Sequence, residues 1–280
     1  RVMTSSSSPG ISLKQEGISY IVGAELPCVI VNIVRGGPGL GSIQPAQSDY
    51  YQATRGGGHG DYRMPVYAPS TVQEAVTLTA KAFDVADRYR NPVMILGDGV
   101  IGQMMEPVVM PESFETEKTE KPWAATGWDG KRPRAIINSL YIKPDVLEKH
   151  NLRLEEKYRK MREEEVLVET QFMDDPEYAV CAYGTTARIA LTAVRKARAE
   201  GVKVGLVRPI TLWPFPEKEI GEIAGRVKAI LTVEMSMGQM VDDVKIAANG
   251  ACPVIFYGRT GGMIPGVNEI LSRIEALKEA

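Results

Sequence analysis

Cys28-Val29-Ile30-Val31-Asn32-Ile33-Val34 is apolar at nearly every position and breaks off at Arg35-Gly36-Gly37-Pro38-Gly39. Such a near-continuous β-branched run is expected of a central strand covered on both faces. Val93-Met94-Ile95-Leu96, ahead of Gly97-Asp98-Gly99, is a second one. Between them, from Thr71 to Tyr89, the residues Val72, Ala75, Val76, Thr79, Ala80, Phe83 and Ala86 fall at helical spacing, with Ser70 or Thr71 as N-cap and Glu74 in the first turn. Strand, helix and strand in this order predict an α/β fold built on a parallel sheet.

Working outward, this grammar covers residues 1–110 and returns over 177–280. In the later stretch the strand candidates are Ala179 to Tyr183, Val202 to Val207, Ala229 to Val233 and Pro253 to Tyr257. Helices are expected at Thr186 to Ala199, Glu217 to Ala224, Gly238 to Ala248 and Val267 to Leu277, giving a small doubly wound domain. Residues 111–176 break the pattern: an extended, proline-punctuated connection leads into a charged helix from Asp145 to about Glu169. Its apolar stripe is Leu147, Leu154, Tyr158 and Met161, and Glu163-Glu164-Glu165 reads as its solvated face.

With 280 residues, 44% of them hydrophobic, the chain can bury two cores. Its 33 Lys and Arg balance 35 Asp and Glu, which argues against a nucleic-acid partner or a polybasic membrane contact. No apolar run is long enough to cross a bilayer. Three scattered cysteines form no disulfide scaffold and suit a cytoplasmic location, with each cysteine a small core residue in an apolar strand-like run. Two distant histidines and no Cys-x-x-Cys leave no metal site. The chain opens on Arg1-Val2-Met3-Thr4, a strand entering a serine loop, without the features of a signal peptide. The reading is of a chain cut upstream inside a domain, with processing of a precursor as the alternative.

Arg35 carries the most weight, because it sets a fixed charge at the carboxyl end of a central strand, where open α/β sheets bind ligands. A guanidinium there can grip a carboxylate by two parallel hydrogen bonds; equally, it can be a strap to Asp49 or Asp61. Gly56-Gly57-Gly58-His59-Gly60-Asp61 is a polar loop in which His59 could move protons near neutral pH, or simply an exposed turn. Thr4 through Ser8 is a hydroxyl-rich loop after a strand, either a ligand contact or a plain turn. Gly184-Thr185-Thr186 opens a helix whose free amides could dock a phosphate, although an ordinary capped turn explains it as well.

Arg35-Gly36-Gly37-Pro38-Gly39, Gln47-Ser48-Asp49, His59-Gly60 and the Val93 to Leu96 run, in this order, resemble the α-type subunit of 2-oxoacid:ferredoxin oxidoreductases. The second half resembles that subunit's transketolase-C-terminal-like domain through Tyr183-Gly184-Thr185-Thr186, the block Gly205 to Pro216 and Glu234-Met235-Ser236-Met237-Gly238-Gln239. Ser42 to Tyr51 looks most like the branched-chain, 2-oxoisovalerate type.

The resemblance implies a truncated thiamine-diphosphate pyrimidine-type domain followed by the transketolase-like one. It implies oxidative decarboxylation of a 2-oxo acid onto coenzyme A, with electrons passing to ferredoxin. Thiamine diphosphate would be shared with a β-type partner subunit, and Mg²⁺ and the iron–sulfur cluster would lie on partners, among them γ-type and ferredoxin-like subunits, in a dimer of such assemblies. Carried over by position, Arg35 binds the substrate carboxylate, Ser6, Ser7 and Ser8 border the cofactor, and His59 lies on an active-site loop. The family's catalytic glutamate falls before this chain's first strand, and neither Glu16 nor Glu25 stands in for it, so no catalytic residue is assigned. The chain alone is therefore expected to be inactive. Two other readings stay open: a thiamine enzyme of the transketolase or deoxyxylulose-phosphate synthase kind, and a non-catalytic assembly subunit.

Overall fold

β-Branched residues fill the strands of the first domain, and small or cap-forming residues start its helices. The computed structural model describes residues 1–113, 119–128 and 130–279. In chain order the first domain holds β1 (Met3–Ser6), α1 (Ser8–Gly23), β2 (Cys28–Val34), α2 (Tyr50–Arg55), β3 (Val66–Tyr67), α3 (Val72–Tyr89), β4 (Pro92–Asp98) and α4 (Gly99–Gln103). The connection follows, of which residues 114–118 and 129 lie outside the described residues, and then α5 (Pro144–Glu164). The second domain holds β5 (Val168–Gln171), β6 (Tyr178–Cys181), α6 (Gly184–Ala199), β7 (Val204–Pro209), β8 (Thr211–Trp213), α7 (Glu217–Ala224), β9 (Ala229–Glu234), α8 (Met240–Ala248), β10 (Val254–Gly258) and α9 (Val267–Ala276).

The first sheet has the order β1-β2-β4-β3-β8 and the second β10-β9-β6-β7-β5. β2 lies parallel to β4, Cys28 beside Pro92 and Val34 beside Asp98. β2 is therefore interior and apolar at every position but Asn32, as its sequence demands. α3 begins as expected: the Thr71 hydroxyl accepts from the Glu74 N–H at 3.0 Å, and the Glu74 carboxylate accepts from the Ser70 N–H at 2.7 Å. β8 comes from the second half of the chain yet pairs antiparallel with β3, closing the first sheet. One apolar core consequently runs from β2 and α3 through Tyr183 and Leu212 into the second sheet, whose other face has its own core under α6 and α9.

Four sequence expectations are corrected. The serine loop is shorter than expected: Ser5 and Ser6 end β1 and Ser8 opens α1, a helix whose buried face includes Ser8, Gln15 and Ser19 and so has a weak apolar period. In α5 the buried stripe includes His150 instead of Leu147. Glu165 is no part of a solvated face: the helix stops at Glu164 and turns Glu165 inward, where it is 1% exposed and accepts from Arg88 at 2.8 Å. Cys252 is buried in the turn before β10, not in a strand. Among the described residues no helix is long and apolar enough to cross a membrane.

Candidate functional site

The carboxyl ends of β1, β2 and β4 bring Ser6, Arg35 and Asp98 to one rim of the first sheet. Ser6 stands beside Asn32 in the β1–β2 register. Asn32 is fully buried; its amide donates to Asp49 at 2.9 Å, while its Oδ1 has no partner among the described residues. A Cβ on Gly10 would lie 1.9 Å from the Ser6 hydroxyl, so glycine lets α1 start this close to the strand. Ser7 is the N-cap of α1 without a side-chain capping bond. The Ser8 hydroxyl accepts from the Arg35 backbone N–H at 3.1 Å. The serine turn and Arg35 are thus joined directly.

Arg35 is tied to neither Asp49 nor Asp61. Its Nη1 donates to the carbonyls of Leu40 and, at 2.9 Å, Ser42, closing the Gly36–Gln44 loop around the guanidinium. Backbone bonds from Gly36 to Gln44 (2.9 Å) and from Ser42 to Gly36 (2.8 Å) shut the loop's base. Among the described residues Nε and Nη2 have no hydrogen-bond partner, and they are the pair able to grip a carboxylate. Leu40 and Ile43 project from the loop into solvent, and Met237, Met263 and Ile264 of the second domain are exposed as well. A Cβ on Gly36 or Gly262 would meet Gly261–Gly262 or Gln44 respectively, so the Gly36–Gln44 loop touches the loop after β10.

Two residues that the sequence reading did not single out, Gln47 and Asp98, fasten the domains here, and a third, Glu234, orders the start of α8. Gln47 donates to the Tyr183 carbonyl at 2.9 Å and accepts from the Thr186 hydroxyl and the Met235 N–H, both at 2.9 Å. Asp98 accepts from the Val100 and Ile101 amides of α4 and from the Thr185 hydroxyl at 2.9 Å. The start of α6 at Gly184-Thr185-Thr186 is therefore filled by the protein's own carboxylate, which takes the place a phosphate would need. Glu234, fully buried, accepts from the amides that open α8 and from the Ser236 hydroxyl. Burial raises the pKa of both Asp98 and Glu234, against the pull of these bonds.

His59 is not brought to this rim. It is exposed, and its carbonyl accepts from Ser19, about three helical turns beyond Ser8 along α1. Among the described residues no three His, Cys, Asp or Glu side chains group as metal ligands. Glu16 is bonded to Tyr20, and Glu25 to Arg153 and Lys157. The rim thus offers hydroxyls, an amide oxygen and a guanidinium, a set suited to the border of a cofactor and to a substrate anion, not to a diphosphate with its metal.

Comparison with known proteins gives this rim a context. The family model described as pyruvate flavodoxin/ferredoxin oxidoreductase, thiamine diphosphate-binding, matches residues 1–170. That of pyruvate:ferredoxin oxidoreductase core domain II matches residues 176–270. The ketoisovalerate oxidoreductase subunit VorB of Methanothermobacter thermautotrophicus is 48% identical over 274 residues, covering 98% of this chain and 77% of that protein. The 2-oxoglutarate synthase subunit KorA of Methanothermobacter marburgensis is 36% identical over 302 residues, covering 99% of this chain and 80% of that protein. A solved structure, the 2-oxoglutarate:ferredoxin oxidoreductase from Magnetococcus marinus with 2-oxoglutarate, coenzyme A and succinyl-CoA bound, superposes with a TM-score of 0.78 at 21% identity, covering 98% of this chain and 53% of that one, a likeness of fold.

Fold and rim therefore define a chain of the thiamine diphosphate-dependent enzymes, with a pyrimidine-type domain followed by a transketolase-like doubly wound one. The chain belongs to the 2-oxoacid:ferredoxin oxidoreductase family, as a subunit of an oxidoreductase. The transketolase and deoxyxylulose-phosphate synthase reading is set aside by these matches.

Proposed function

We propose that this chain is the α-type subunit of a 2-oxoisovalerate-type ferredoxin oxidoreductase and that Arg35 holds the substrate's carboxylate. The observation that carries this reading is the Arg35–Ser8 junction: the serine turn holds the Arg35 backbone, the glycine-rich loop holds Nη1, and the Nε and Nη2 edge, without a partner among the described residues, suits a ligand. The exposed Leu40 and Ile43 beside it suit an apolar, branched substrate side chain, and the 48% identity to a ketoisovalerate enzyme subunit, against 36% to a 2-oxoglutarate one, points the same way.

Ser6, Ser7, Ser8 and Asn32 would border the aminopyrimidine. When bound, thiamine diphosphate supplies the electron sink for the carbanion left by loss of CO₂. Its diphosphate and Mg²⁺ would be held by a β-type partner subunit, with iron–sulfur clusters on that and a ferredoxin-like subunit, a γ-type subunit completing the unit, coenzyme A as acyl acceptor and ferredoxin as electron acceptor. Two such units would pair. Three buried free thiols suit a reducing cytoplasm. His59 stays an active-site residue only if a partner approaches the far end of α1.

Arg35→Ala in the reconstituted complex tests the reading. Losing two charge-assisted hydrogen bonds costs about 2–4 kcal/mol of transition-state binding, a fall in kcat/KM of about 30- to 1,000-fold with unchanged subunit composition. An unchanged kcat/KM would reduce the chain to an assembly subunit. Faster turnover of 2-oxoglutarate than of 2-oxoisovalerate by the wild-type complex would overturn the substrate assignment.

A further inference from the structure

Residues 135–142, Ala-Ile-Ile-Asn-Ser-Leu-Tyr-Ile, run by the end of α1 and against α5 without belonging to a helix, a turn or a sheet. Their side chains alternate. Tyr141 stacks on His150 with ring centroids 4.6 Å apart, Ser139 lies against Gly23 at the end of α1, and Ala135 is half-buried. On the other parity Ile136, Leu140 and Ile142 are 83%, 68% and 85% exposed. Among the described residues no backbone–backbone hydrogen bond ties this stretch to the rest of the chain; Asn138 alone bonds the N–H and C=O of Leu140, at 2.9 and 2.7 Å. An apolar strip with strand periodicity and unpaired backbone is what an added strand recognises.

Its flanks say which kind. From Lys131 to Lys143 the sequence has four cations, Lys131, Arg132, Arg134 and Lys143, and no acid at any described position. The Arg132 guanidinium is held by the carbonyls of Pro122 and Ala124, and that of Arg134 lies over Trp128, so neither is neutralised by a carboxylate among the described residues. Antiparallel pairing with a second copy of this chain would set Lys143 of one copy against Arg132 and Arg134 of the other, placing like charges opposite each other. We propose that residues 135–142 are the docking strip for an extended segment of a partner subunit, with apolar side chains facing Ile136, Leu140 and Ile142 and acidic residues at both ends.

This rests on the multi-subunit reading above, and the experiment separates the two. Hydrogen–deuterium exchange is followed in residues 131–143 of the free full-length chain and of the purified enzyme complex. Leu140→Asp/Ile142→Asp and Arg134→Glu/Lys143→Glu variants are examined by native mass spectrometry. Exchange should slow at least about tenfold in the complex, the Asp variant should lose one subunit while the free chain keeps its melting temperature, and charge reversal should weaken the complex most at low salt. A chain that purifies from its native cells without any other subunit overturns the multi-subunit reading. An intact complex in which the strip exchanges as in the free chain overturns this inference alone, as does dimerisation of the free chain through the strip. Strip-dependent binding to phosphatidylglycerol vesicles, with the complex unaffected by the variants, would assign it to a membrane instead.

Discussion

Arg35 would join two tasks in one planar group: Nη1 shapes the Gly36–Gln44 loop from within, and the other edge has no hydrogen-bond partner among the described residues. Lysine cannot do both, because a point charge lacks the fork. Arg35→Lys should therefore keep some carboxylate attraction yet lower kcat/KM at least about tenfold in steady-state assays of the complex. Gly10 illustrates a constraint of another kind. A methyl group there meets the Ser6 hydroxyl at 1.9 Å, so Gly10→Ala should destabilise the chain by about 1–3 kcal/mol in urea unfolding, with part recovered in the Gly10→Ala/Ser6→Ala double variant. The place of Arg35 at the sheet's rim was legible because a charge ending an apolar run marks the carboxyl end of a strand. Gln47 and Asp98 were not, because their partners Tyr183 and Thr185 lie 136 and 87 positions away, and spacing along a chain says nothing of such pairs.

At the scale of elements, legibility followed periodicity. α3 and α7 have apolar faces and were placed to within a residue, whereas α1 buries serines and a glutamine and showed no stripe. β3 and β8, two and three residues long, exist only because they find each other across the chain. The same long-range logic holds α3 to β5. Arg208, buried on β7, donates to Glu74 of α3 at 2.7 Å and to Glu169 of β5. Burial by itself would raise both carboxyls; the bonds from Arg208, with Ser70 for Glu74 and Gln171 for Glu169, outweigh it and leave both below the usual range. Carboxyls depressed in the folded state give stability that is present above the unfolded value of about 4.3 and lost as pH falls through the folded values. Glu169→Gln should therefore flatten the acid limb of a denaturant-midpoint curve below about pH 4. Lys157 on α5 works at the other end of the scale: burial lowers its pKa to about 8, against the pull of Glu25. Between pH 8 and about 10 the unfolded chain holds more protons, so stability from this group rises with pH, and Lys157→Met should remove that rise.

For the whole molecule the decisive fact is that neither domain is complete alone. β8 closes the first sheet, the core is shared, and Asp98 serves the starts of α4 and α6 together. One unfolding transition is expected by calorimetry, and Asp98→Ala, which strips the acceptor from two helix starts and the Thr185 hydroxyl, should lower it by about 2–4 kcal/mol without splitting it. The proposed function divides the chemistry in the same way. Its rim has a guanidinium and hydroxyls, while Glu16 and Glu25, the acids nearest in sequence to the serine turn, are committed to Tyr20 and to Arg153 and Lys157. A carboxylate to activate the pyrimidine, a set of ligands for a diphosphate-bound cation and a first electron acceptor must all be supplied for a 2-oxo acid to be oxidised. This chain, given thiamine diphosphate, Mg²⁺, coenzyme A and 2-oxoisovalerate, should reduce neither ferredoxin nor viologen. Addition of a diphosphate-binding partner and a cluster-bearing subunit should restore reduction, and restore it far less with Arg35→Ala; turnover by the isolated chain would show that the rim is self-sufficient and that the division of labour among subunits lies elsewhere.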